Sequence, residues 1–183
     1  MKKTHNNRLY MLISCALFAA LTAVLAQIQV PLYMVPINLA LITVYLSGTL
    51  LGAKYGSLSM FLYVIIGALG IPVFAGFAGG LGVLFGKTGG YIIGYIIAAF
   101  LIGLLSNFWG FTFLRLLYAM IIGTLSCYLV GTLWFMFVTK IDLWASLTYC
   151  VFPFVLGDLV KMILAASLTL RLRKPLINKG LLP

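Results

Sequence analysis

The chain has 183 residues, of which 64% are hydrophobic and only 8% are charged, and its 12 Lys and Arg outnumber its 2 Asp and Glu. Because a soluble domain carries about 25% charged residues, this composition excludes a soluble enzyme and a soluble DNA-binding domain. A membrane helix takes roughly 20 apolar residues, so the length allows about six spans with short connections. Lys and Arg mark the cytoplasmic side of a membrane protein, so the net charge of +10 predicts no nucleic-acid partner.

The apolar segments follow one another along the chain as a single domain, 1–183, that we predict to be an all-α, six-helix transmembrane bundle in membrane lipid. The first segment, 9–28, is longer than the 7–15 residues of a signal-peptide core, so we expect a retained helix rather than a cleaved one. The loop after it is bracketed by Pro31 and Pro36. Further helices are predicted at 38–52, 57–71, 89–105, 113–138 and 146–170, the last interrupted near Pro153 and Gly157.

The second and third predicted helices, 38–52 and 57–71, are near or below the usual lower limit for crossing a bilayer. They either extend into their flanking loops, or one of them is re-entrant. Five or seven spans are therefore the alternatives to six.

The basic residues predict the orientation. With six spans, the termini and the 2–3 and 4–5 loops share one side, and nine of the basic residues lie there: Lys2, Lys3, Arg8, Lys54, Arg115, Arg171, Arg173, Lys174 and Lys179. The opposite side has Lys87 and Lys140, the latter beside Asp142. The positive-inside rule then places both termini in the cytoplasm and the Gly-rich loop between helices 3 and 4 outside.

Residues suited to catalysis or metal binding are scarce. The three cysteines lie in apolar runs without a CxxC spacing, which indicates small buried side chains rather than disulfides or a zinc site. Gly86-Lys87-Thr88 lacks the glycine that a phosphate-binding loop has five residues earlier, where Leu81 stands. We therefore expect that the protein is not an enzyme and that it binds neither a cofactor nor a metal ion.

Asp158 and Lys161 are the most informative pair. They lie three residues apart in the last predicted span, so a helix places them on one face. Ionisable groups inside a bilayer cost several kcal/mol unless they are paired, and they commonly mark functional sites. The pair is either a structural ion pair or the polar part of a ligand pocket, in which Asp accepts N–H bonds and Lys meets a carboxylate or carbonyl.

A Gly-rich stretch, 67–90, joins the third and fourth predicted helices. Glycine lets the backbone approach a ligand closely, and irregular backbone at membrane depth is tolerated where it lines a cavity. The stretch includes Phe74 and Phe77 and is followed by Tyr91, whereas flexible linkers are polar and rich in Ser. We interpret it as a cavity wall or lid rather than a plain connector.

Small residues form two stripes on the first helix. Ala16 and Ala20 are four residues apart, and so are Ala19 and Ala23. This spacing permits close helix contact, either within the bundle itself or with another membrane subunit.

Several of these segments resemble the BioY family, whose members are the biotin-binding substrate (S) components of energy-coupling factor (ECF) transporters. The resemblance covers almost the whole chain. It rests on Gly70-Ile71-Pro72-Val73-Phe74, Gly79-Gly80, Gly86-Lys87-Thr88-Gly89-Gly90-Tyr91, Gly157-Asp158-Leu159-Val160-Lys161, and Leu51-Gly52 with Gly56.

The resemblance implies a six-helix bundle in the plasma membrane of a prokaryote that binds biotin from outside. It implies partners as well, namely a transmembrane coupling subunit, which the alanine stripes would meet, and two cytoplasmic ATPases. Asp158 and Lys161 would be the polar ligand contacts. The remaining pocket residues would be Phe74, Gly76, Phe77, Ala78, Gly79, Gly80, Gly89, Gly90 and Tyr91.

The chain departs from the family pattern at four positions. Lys87 stands where the family usually has Pro, Asn38 and Ala40 where it has Thr and Gln, and Ala78 where some members have Asn. The losses remove hydrogen bonds that could read a ureido ring, and the added lysine could attract a carboxylate. The alternatives to biotin are therefore lipoate or dethiobiotin, and the alternative to transport is a structural membrane protein.

Overall fold

The computed structural model describes residues 2–30 and 35–178, with side chains from residue 8 onward. Pro31, Lys179 and the side chains of Lys2 and Lys3, which belong to the predictions above, lie outside this range. The elements are α1 (Lys2–Gln27), β1 (Gln29–Val30), β2 (Ile37–Asn38), α2 (Ala40–Ala68), α3 (Leu81–Leu84), α4 (Gly89–Trp109), α5 (Phe113–Thr139), α6 (Leu143–Cys150) and α7 (Phe152–Asn178).

Among the described residues, five helices are long and apolar enough to cross a membrane: α1 from Arg8 onward, α2, α4, α5 and α7. Their outward faces are apolar, with Leu129 62% and Leu156 77% exposed. Such a surface is suited to hydrocarbon rather than water. The chain is therefore an all-helical, multi-pass membrane protein, as the composition predicts.

The second and third predicted helices form one element, α2, which folds back on itself at Gly52. Gly52 has φ 76° and ψ 178°, a backbone conformation that glycine adopts without steric cost. Thr22 Oγ1 lies 2.9 Å from Thr43 Oγ1 and 3.9 Å from Met60 Sδ. A continuous helix would separate residues 43 and 60 by about 25 Å, so the two arms of α2 lie side by side.

The last predicted span, 146–170, is interrupted near Pro153 as predicted, but not near Gly157. It is divided into α6 and α7 at Val151, whose φ of −124° and ψ of −60° are not helical. Pro153 follows this break and is tolerated in the first turn of α7, where its missing N–H costs nothing. Gly157 lies within the helix and does not interrupt it.

Glycines and hydroxyl groups hold the helices together. A Cβ at Gly48 would lie 2.8 Å from the Ala99 carbonyl oxygen on α4, so α2 and α4 are in close backbone contact. Interhelical hydroxyl pairs join Tyr45 to Thr124 and Thr49 to Thr169, each at 2.8 Å. Hydrogen bonds of this kind are worth roughly 0.6–2 kcal/mol in a bilayer.

The bundle has two chemically different ends. The turn at Gly52 lies near Asn107 at the C-terminal end of α4, and this end includes Lys54, Arg115 and Arg173. The opposite end is formed by the C-terminus of α1, the first turn of α4 and the Gly-rich segment. There, β1 and β2 pair antiparallel, with Gln29 opposite Asn38, and connect α1 to α2.

Gly103→Ala is expected to destabilise the bundle. Its Cβ would overlap the backbone at the α2 turn, lying 2.7 Å from Ala53 Cα. Overpacking costs about 1–3 kcal/mol, so thermal unfolding in detergent should show a midpoint lower by roughly 3–10 °C. Gly82→Ala is the control, since no atom lies within 4 Å of its Cβ position. An unchanged midpoint for Gly103→Ala would show that the α2–α4 contact does not limit stability.

Candidate ligand-binding site

A cavity of about 220 Å³ lies at the end of the bundle opposite Lys54, Arg115 and Arg173. A liquid water molecule takes about 30 Å³, so the cavity has room for a small organic molecule. Its wall is mostly apolar with a few polar groups, as is typical of small-molecule sites. The lining residues are Val35, Pro36, Asn38, Leu41, Tyr63, Phe74, Ala75, Ala78, Val83, Thr88, Tyr91, Ile92, Tyr95, Cys127, Tyr128, Cys150, Phe154, Asp158 and Lys161.

Asp158 and Lys161 form a buried ion pair in this wall. Lys161 Nζ lies 2.7 Å from Asp158 Oδ1, and the side chains are only 6% and 1% exposed, respectively. Tyr128, on α5, donates its hydroxyl to Asp158 Oδ2. The pairing offsets the cost of removing both charges from water.

The ion pair retains hydrogen-bonding capacity toward the cavity. An ammonium group has three N–H donors and a carboxylate has about four acceptor sites. The bonds among the described residues use one donor of Lys161 and two acceptor sites of Asp158. A ligand that presents an acceptor beside a donor can therefore bind both side chains at once.

Four tyrosines give the wall an aromatic character with polar tips, a combination that suits an amphipathic ligand. Tyr91 and Tyr95 lie one turn apart on α4 and therefore share a face. The Tyr91 hydroxyl lies 3.0 Å from Thr132 Oγ1, and the Tyr63 hydroxyl donates to the Val73 carbonyl at 3.2 Å. These bonds fix two of the rings in orientation.

Residues 73–78 of the Gly-rich segment cover one side of the cavity, and we call them the covering loop. The loop is closed by a hydrogen bond from Phe74 N–H to the Ala78 carbonyl, at 2.9 Å. Phe74 is 1% exposed, packs edge-on against Tyr63 with ring centroids 5.5 Å apart, and occupies the space beside Gly67. The loop is thus anchored in the core by one aromatic side chain.

The structure brings together Asn38, Phe74, Ala78, Tyr91, Asp158 and Lys161 of the predicted site. Asn38 Oδ1 also accepts the Ala40 N–H at 3.0 Å, at the start of α2. The other predicted residues do not line the cavity: Gly76, Phe77, Gly79, Gly80, Lys87, Gly89 and Gly90.

Two of the glycines outside the lining, Gly89 and Gly90, are packed closely against other parts of the protein. A Cβ at Gly89 would overlap the Leu84 carbonyl, and one at Gly90 would overlap Trp134. Phe77 is 73% exposed, and Lys87 is exposed next to Thr88, which does line the cavity.

Sequence reasoning missed Tyr63, Tyr95, Tyr128, Thr88 and the thiols of Cys127 and Cys150. The four-residue spacing of Tyr91 and Tyr95 is a signal that could have found the second tyrosine. Nothing in the sequence singles out Tyr128, because its role depends on how α5 faces α7. Among the described residues, no group of three or more His, Cys, Asp or Glu side chains is placed to hold a metal ion.

The two alanine stripes of α1 face different surroundings. Ala16 and Ala20 are exposed, so they remain available to a partner. Ala19 is 2% exposed within the core, and Ala23 packs partly buried against it. The prediction that Ala19 contacts a partner subunit is therefore wrong, and Ala23 is mainly engaged inside the bundle.

Lys161→Met is expected to destabilise the protein more than the double change Asp158→Asn with Lys161→Met. The single change leaves a buried carboxylate without its counter-charge, at a cost of about 3–5 kcal/mol, whereas the double change removes both charges. Thermal unfolding without ligand measures the difference. A double variant as unstable as the single one would contradict an electrostatic origin.

Comparison with known proteins identifies the family. Residues 1–178 match the model of the BioY family. The chain is 42% identical over 172 residues to the biotin transporter BioY of Thermotoga maritima, covering 89% of this chain and 95% of that protein. It is 43% identical over 158 residues to the probable biotin transporter BioY of Pyrococcus horikoshii, covering 86% and 93%.

A solved structure has the same fold. It is the crystal structure at 2.1 Å of the S-component for biotin from an ECF-type ABC transporter, with a TM-score of 0.84 and 30% identity over 92% of this chain and 93% of that one. The chain therefore belongs to the BioY family, a family of transport proteins rather than enzymes.

Proposed function

We propose that the chain is the biotin-binding S component of an ECF-type vitamin uptake transporter. It captures biotin in the cavity beside Asp158 and Lys161, and partner subunits drive import by hydrolysing ATP. The observation that carries this function is the buried ion pair, held by Tyr128, in the wall of a ligand-sized cavity in a BioY-family chain.

The ion pair suits the ureido group of biotin better than its carboxylate. A ureido group presents N–H donors beside a carbonyl acceptor. Asp158 can accept from the N–H while Lys161 donates to the carbonyl, so both charged side chains gain a bond. A carboxylate at the same place would face the like charge of Asp158 as well as Lys161, which reduces its attraction.

The carboxylate end of biotin then lies toward the cavity opening. Lys87, one of the departures from the family pattern, is exposed and precedes the lining residue Thr88. We propose that Lys87 attracts the carboxylate there. Of the other departures, Asn38 and Ala78 line the cavity, and Ala40 is fully buried in the core.

The proposed topology has six spans in one domain, 1–183, with each arm of α2 counted as one. The basic residues at the Gly52 end support a cytoplasmic location for both termini. The cavity and the Gly-rich loop, which joins the second arm of α2 to α4, then face outside, in the plasma membrane of a prokaryote. The proposed assembly includes a transmembrane coupling subunit, which meets the exposed Ala16 and Ala20 face of α1, and two cytoplasmic ATPase subunits.

Purified protein is expected to bind biotin tightly in isothermal titration. Asp158→Asn and Lys161→Ala should each weaken binding by roughly tenfold to several hundredfold, because each removes a bond to a charged partner in a buried site. Asp142→Asn is the matched control, since that carboxylate only caps α6, accepting the Ala145 N–H at 3.2 Å.

Failure of well-folded protein to bind biotin would refute this function. Competition by lipoate and dethiobiotin against labelled biotin shows which of the three vitamin acids binds most tightly. Because the relatives include biotin transporters, biotin is favoured over lipoate and dethiobiotin as the ligand.

Lys87→Gln tests the orientation of biotin. Because a partly exposed ion pair contributes at most about 1 kcal/mol, this change should weaken biotin binding by roughly fivefold or less and leave biotin methyl ester unaffected. Lys140→Gln is the control, because that lysine lies over the Phe137 ring at 4.7 Å. If Lys161→Ala, rather than Lys87→Gln, abolished the difference between biotin and its methyl ester, the reversed orientation would be correct.

A further inference from the structure

Gln27, the C-terminal residue of α1, is hydrogen-bonded to the covering loop through both the NH2 group and the carbonyl oxygen of its side chain. Gln27 Nε2 donates to the carbonyls of Val73 at 3.2 Å and Phe74 at 3.1 Å. Gln27 Oε1 accepts the Phe77 N–H at 2.8 Å. The Ala23 carbonyl, at 3.0 Å from Nε2, shares the two N–H groups with these acceptors and fixes the side chain to its own helix.

We infer that Gln27 is a positioning residue that holds the covering loop closed over the bound ligand and so limits the rate at which ligand leaves. Gln27 itself does not line the cavity, whereas Phe74, Ala75 and Ala78 do. It therefore acts through the loop. The inference rests on the proposed function only for the identity of the ligand.

The loop conformation needs such a partner. Phe77 has φ 56°, a left-handed conformation that costs a non-glycine residue roughly 1–3 kcal/mol and persists only where its surroundings enforce it. The bond from Phe77 N–H to Gln27 supplies that restraint. A leucine or methionine at position 27 would fill similar space but could neither accept this N–H nor donate to the two carbonyls.

Gln27 also connects the loop to the exposed face of α1. Ala20 precedes it by seven residues and Ala16 by eleven, so the three lie within about 40° of one another around the helix. A shift of α1 on that side therefore acts directly on the bonds to Val73, Phe74 and Phe77. A partner helix that packs against Ala16 and Ala20 would therefore lie on the side of α1 from which Gln27 bonds to the covering loop.

The test compares wild type with Gln27→Leu and Gln27→Glu in nanodiscs. Gln27→Glu keeps an acceptor for Phe77 but places oxygen against the carbonyls of Val73 and Phe74. Both changes should raise the dissociation rate of labelled biotin by roughly tenfold to a hundredfold, with an association rate that is unchanged or higher. Hydrogen–deuterium exchange at residues 73–78 should also accelerate in the ligand-free protein.

Asn107→Leu is the control, because it removes an amide about 24 Å along α4 from the cavity residue Tyr91. Unchanged exchange at residues 73–78 in both variants would overturn the inference, and so would an unchanged dissociation rate. If wild type failed to bind biotin, the proposed function would fail, while ligand-free exchange would still decide the role of Gln27. If Gln27→Leu did not fold, Gln27→Glu would decide it alone.

Discussion

Asp158 and Lys161 are two opposite charges buried inside a bundle whose outward faces are apolar. Asp158 and Lys161 satisfy each other at 2.7 Å, and Tyr128 satisfies the second carboxylate oxygen from α5. Because an unpaired charge at this depth is costly, the relative position of α5 and α7 is constrained to the geometry that keeps all three groups together. The same geometry leaves donors and acceptors directed at the cavity, so one requirement determines both packing and recognition.

Around this pair, the rest of the cavity depends on close backbone contacts. Helix α4 can bring Tyr91 and Tyr95 to the wall because Gly90 lets it approach Trp134 and Gly94 lets it approach Cys127 on α5. Small residues and hydroxyl pairs thus replace the hydrophobic driving force that is absent between helices in lipid. Gly90 and Gly94 thus allow the close α4–α5 contact from which the two aromatic rings reach the cavity.

The sequence predicted the ion pair because two charged residues at helical spacing stand out against an apolar background. It also predicted α4 and α5, which end within four residues of their expected bounds. It predicted an interruption of the last span near Pro153, and the break lies two residues earlier, at Val151. The interruption expected near Gly157 does not occur, because a single glycine is tolerated within a helix. It did not single out Tyr63, Tyr95 and Tyr128, nor decide that Ala19 packs within the bundle, because which helix face points inward depends on tertiary packing that hydropathy does not encode.

The turn at Gly52 joins two arms that both return to the cavity end. One arm is preceded by residues 35–38, which contribute Val35, Pro36 and Asn38 to the wall, and the other is followed by the covering loop. The two segments that line this part of the cavity are therefore extensions of one hairpin. Because both segments begin from a rigid helical arm, each has one fixed end, which reduces the chain entropy that is lost when the wall of the cavity is ordered.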